Sequence, residues 1–136
     1  MSRRLAARLT ADPGADVAPY RGYYLDHLWK RATYYDGLAQ RLLGRSVNHT
    51  VLLHHNLLNG LFLGDALSMF RRRGWRLMDA DTVYADPLFL RQPNIVPAGQ
   101  SLIWALANES GGFNDELRFP GEDEKYEKPE MDRLGL

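Results

Sequence analysis

Between two stretches of helical periodicity, each closed by a glycine, the chain carries one short apolar run, Thr50-Val51-Leu52-Leu53, that ends in His54, His55 and Asn56. Nothing else in the sequence constrains the fold as strongly. Before it, Leu25, Leu28, Trp29, Ala32, Tyr35, Leu38, Ala39 and Leu42 recur at three- and four-residue steps, the mark of an amphipathic helix over residues 23–43, and Gly44 supplies its stop. After it, Asn56 has the side chain of an N-cap, and Leu58, Leu61, Phe62, Ala66, Met69 and Phe70 run along one face of a second helix. Arg71, Arg72 and Arg73 fall in its last turn, where positive charge complements the helix dipole, and Gly74 ends it. The apolar run alternates too little for a strand with one wet face and suits a strand covered on both, as in a parallel sheet. Trp75 to Met78 reads as a second strand. Strand, helix and strand over about residues 49–78 make a βαβ unit with a right-handed crossover. The expected fold class is α/β.

The remaining segments read more loosely. Residues 1–20, with an arginine-rich start and the turn-forming ADPGAD, are expected as a loose N-terminal arm. Asp79 or Asp81 suits the cap of a short helix through Tyr84, which Asp86 and Pro87 close. The loop RQPNIVPAG leads to another short helix around SLIWALANES. Residues 111–136 are acidic and expected to be mostly irregular, with GEDEKYEKPE solvated. This divides the chain into an arm over 1–20, an α/β domain over 21–110 and a tail over 111–136.

Length and composition exclude several classes. A chain of 136 residues suits one domain or part of one. It has no apolar run near the ~18 residues that a membrane span requires. Its start lacks the sustained apolar core of a secretory signal, so a cytoplasmic location is the default expectation. Zero cysteines rule out disulfides, thiolate metal sites and a cysteine nucleophile. The zero net charge hides an asymmetry, since residues 1–76 hold 12 Lys and Arg against 5 Asp and Glu, and residues 77–136 hold 5 against 12. With no recognised binding motif beside the basic half, no nucleic-acid partner is expected.

Chemistry, if present, concentrates at the two adjacent histidines. Strand alternation would put Thr50, Leu52 and His54 on one face, and His49, Val51, Leu53 and His55 on the other. In a parallel α/β sheet both His54 and His55 would lie at the C-terminal end of their strand, where such folds place ligands and catalytic groups. Histidine can also give or take a proton near neutrality. The plainer reading is a polar side chain satisfying loop backbone groups. His49 would enter the strand at its other end and is expected to be structural, and His49 with His54 makes a poor metal-ligand pair. His27 lies on the polar side of the first helix. There is no glycine-rich phosphate loop, paired-cysteine zinc motif, Gly-x-Ser-x-Gly elbow or His-Glu-x-x-His helix.

As a connected pattern, VLLHHN followed by LLNGLFLGDALSMFRRRGWRLMDADTVYADPLF resembles the C-terminal part of the polysaccharide deacetylase family, the NodB-homology fold. The resemblance covers about residues 20–110 and is best over about 47–89. It implies a partial (β/α) barrel, the C-terminal half of a deacetylase barrel, acting on the N- or O-acetyl groups of a polysaccharide or oligosaccharide. By position, His54 matches the family's catalytic histidine, the general acid that protonates the leaving amine or alkoxide. Leu52 matches the leucine that helps form the pocket for the acetyl methyl. His55 stands where many members carry aspartate and is the second candidate for substrate contact. The family also binds a divalent metal, usually zinc, through one Asp and two His, with an adjacent Asp as general base. Those residues come from Thr-Phe-Asp-Asp and His-Ser/Thr-x-x-x-His segments, and this sequence contains neither. The resemblance therefore implies a chain that is inactive alone, with no metal site of its own. Half a barrel would expose a sheet edge, so self-association through that edge is expected. A non-catalytic α/β interaction protein derived from the family is the alternative.

Overall fold

A computed structural model describes residues 1–95, 101–113, 116–120 and 124–136. Every regular element among them is a helix: α1 (Ser2–Ala11), α2 (Ala18–Leu43), α3 (Leu57–Arg72), α4 (Ala80–Tyr84), α5 (Leu102–Ser110) and α6 (Glu124–Arg133), with a 3₁₀ turn at Pro87–Leu90. This overturns the α/β expectation. The described residues contain no strand, so there is neither a βαβ unit over 49–78 nor a partial barrel nor a sheet edge. The physical reason is that a strand needs a neighbour to take its backbone hydrogen bonds, and a short apolar run alone does not supply one. Residues 47–54 form neither helix nor strand, and Leu52 is 86% exposed.

The second expected strand is lost to the end of α3. Gly74, at φ 85°, sits in the left-handed region that glycine enters without a Cβ clash. Its N–H donates to the Arg71 carbonyl, and the Trp75 N–H donates to Phe70. This is a Schellman turn, and it brings the Trp75 and Phe70 rings to 5.5 Å. Trp75 is thereby committed to terminating a helix.

The chain falls into two compact units. One comprises Met1–Lys30, Leu52–Leu77 and Pro120–Leu136, and the other Arg31–Val51 and Met78–Phe119. Helix α2 runs through both. In the first unit α1 packs on α3, with Leu5 fully buried. The N-terminal segment expected as a loose arm thus holds a packed helix. Leu5 and Leu9, four residues apart, share one face of that helix. The tail differs too, since α6 occupies Glu124–Arg133 and buries Met131. The Met1 ammonium donates to Glu127 at 3.0 Å, and Arg4 donates to Asp132 at 2.7 Å and to the Leu136 carbonyl at 2.5 Å. Residues 121–123 of the expected solvated stretch, and 96–99 of the expected proline-rich loop, lie outside the described residues.

Helix α3 is held on its inner face by Leu58, Phe62, Ala66, Met69 and Phe70. Tyr24 tilts against Phe62 with ring centroids 6.5 Å apart, Trp29 against Phe70 at 6.1 Å, and Arg21 makes a two-point bond to Asp65. Its other side is also apolar and exposed, through Leu57, Leu61, Leu63 and Leu67.

The second unit is built around Leu38, Ala39, Leu88, Ile103, Leu106 and Ala107. Helix α5 starts where the Ser101 hydroxyl accepts the Trp104 N–H, and ends at Gly111. Arg45 binds both oxygens of Asp86, whose Oδ1 also accepts the Leu88 N–H and so fixes the 3₁₀ turn that delivers Leu88 to the core. His49 lies 3.2 Å from Asp36 Oδ1.

Candidate functional site

The candidate site is the turn that leads into α3. Asn56 is extended, at φ −153° and ψ 173°, and its Oδ1 accepts the Asn59 N–H at 3.1 Å. That satisfies one of the donors every helix N-terminus leaves open. Asn59 is the third residue of the helix, and its side chain turns back over the turn, so that Nδ2 donates to the His54 carbonyl at 2.5 Å. Its Oδ1 accepts a short hydrogen bond from the Tyr24 hydroxyl. Tyr24 is buried, and that burial pushes its phenol above the ordinary tyrosine range.

The orientation of the Asn59 amide follows from chemistry. A carbonyl oxygen can only accept, so Nδ2 must face His54, and Oδ1 then faces the phenol, which must donate. Tyr24, Asn59 and Asn56 together fasten the backbone of residues 54–56 to α2 and α3. The side chains they carry are left open. Leu52, His54 and His55 are all exposed, and neither imidazole makes a hydrogen bond among the described residues. The structure places the three candidates in one short segment, without the sheet that was to sort them onto faces.

Asn59 and Tyr24 were not singled out from the sequence. A signal was present in each. Asn59 is a polar residue of modest helix propensity inside LLNGLFL, and Tyr24 occupies an apolar position where a buried hydroxyl requires a partner.

No three His, Asp or Glu side chains among the described residues converge to hold a metal ion. Among the described residues no such set fits the zinc centre that the resemblance implies. No helix among the described residues is long and apolar enough to cross a membrane. Among known proteins, no family model, no curated protein and no solved structure matches the chain.

Proposed function

We propose that this chain contributes the general acid of a carbohydrate deacetylase, His54, and is inactive alone, the metal and the general base lying on polypeptide outside these 136 residues. The observation that carries the reading is the exposed His54 side chain on a backbone fastened by Asn59. It stands at the position where the pattern VLLHHN…FRRRGWRLM resembles the deacetylases.

An acid at this point hands its proton to the nitrogen or oxygen that leaves the acetyl carbon. A neutral amine or alcohol then departs in place of an anion, which lowers the barrier to bond breaking. The exposed Leu52 supplies apolar surface of the kind an acetyl methyl requires, and His55 offers a second donor or acceptor beside it. The substrate class is an acetylated polysaccharide or oligosaccharide.

The test is to read the source DNA in frame upstream of the Met1 codon and express what it encodes. An open frame carrying Asp-Asp and His-x-x-x-His, whose product releases acetate from an acetylated oligosaccharide only with zinc, is the expected result. A stop codon close upstream, with no acetate released by any product, would overturn it.

A second reading, a non-catalytic helical interaction protein, is favoured by the exposed Leu57, Leu61, Leu63 and Leu67 on α3. It expects indifference both to zinc and to His54→Ala.

A further inference from the structure

The His54 side chain is exposed, and what the structure holds at this residue is its backbone carbonyl, the point from which the imidazole projects. Of the two adjacent histidines, His54 is the one whose carbonyl is gripped from inside α3. We infer that Asn59 and Tyr24 are positioning residues for His54, and the inference rests on the acid role proposed above. The relay is directional. The phenol of Tyr24, on α2, orients the Asn59 amide, and the amide donates to the His54 carbonyl. Asn56 fixes the backbone of Asn59, so the amide swings about an anchored Cα. Residue 59 is thus set by two elements and transmits that setting to one carbonyl.

Asn59→Asp isolates the final link. A carboxylate still accepts the Tyr24 hydroxyl but has no N–H for His54. In the first turn of α3 the negative charge complements the helix dipole, which offsets part of the cost of the lost bond.

The experiment is backbone NMR on the full chain, comparing the parent with Asn59→Asp, Tyr24→Phe and the control Tyr23→Phe, with thermal melts alongside. In Asn59→Asp the expected result is an upfield shift of the His54 carbonyl carbon and a loss of heteronuclear NOE at His54 larger than any change in melting temperature accounts for. Tyr24→Phe should show the same changes in smaller measure, and Tyr23→Phe none. An unchanged His54 carbonyl in Asn59→Asp would overturn the inference. So would equal changes in Tyr23→Phe, or loss at His54 only in proportion to loss of stability. Failure of the acid role is separate. It would show as unaltered turnover in His54→Ala of any acetate-releasing product of an in-frame extension, with the NMR result intact.

Discussion

Asn59 donates from Nδ2 to the backbone carbonyl of His54 at 2.5 Å, across the first turn of α3. This bond joins the helix to the histidine that the sequence resemblance marks. It also distinguishes His54 from His55, which share their exposure.

The cap beneath that bond has its own measurable contribution. Asn56→Ala removes the acceptor for the Asn59 N–H and should cost about 1 kcal/mol, whereas Asn56→Gly should cost only a few tenths. Urea unfolding of the two variants checks the difference, and equal losses would contradict the capping role.

The N-terminal helix is expected to be integral to its unit. Leu5 is fully buried, so Leu5→Ala should destabilise the chain by about 2–5 kcal/mol. Denaturant melts of this variant decide between a packed helix and an arm. A loss near zero would restore the arm.

Stability in the second unit should depend on acid pH through Asp86. Hydrogen bonds from Arg45, and then from the Leu88 N–H, hold its carboxyl well below the ordinary range. The native state therefore binds fewer protons than the unfolded one. The contribution is present above the unfolded carboxylate pKa of about 3.9, and is lost as pH falls through the lower folded value. Asp86→Asn removes the charge but keeps an oxygen for Leu88. Its melting temperature should be lower at pH 6 and should fall less than the parent's from pH 4 to pH 2. Parallel curves would contradict this.

The outer face of α3 should tolerate charge. Leu61 and Leu67 are exposed, so replacing each by Glu should change stability by no more than about 0.5 kcal/mol. Denaturant melts of the two variants measure the change. A large destabilisation would mean these leucines pack against the chain itself.

Helices were legible where periodicity and stop signals agreed. Gly44 and Gly74 close α2 and α3, and Asn56 opens α3, because a left-handed backbone and a side-chain acceptor are demands local sequence can meet. The strands were misread because Thr50 to Leu53 has strand composition without a partner to pair with, and Trp75 carries an apolar ring that the Schellman turn takes instead. Composition shows what a segment can bury, and neighbours decide what it becomes. The histidine turn was visible as HHN. Its anchors were not, since Tyr24 and Asn59 are 35 positions apart and meet only when α2 and α3 pack.

The most direct test of the acid role is acetate release by whatever product an in-frame extension of the chain encodes, compared between the parent and His54→Ala with zinc present. The expected result is a His54→Ala rate far below the parent's. Equal rates would contradict the assignment of His54 as the proton donor.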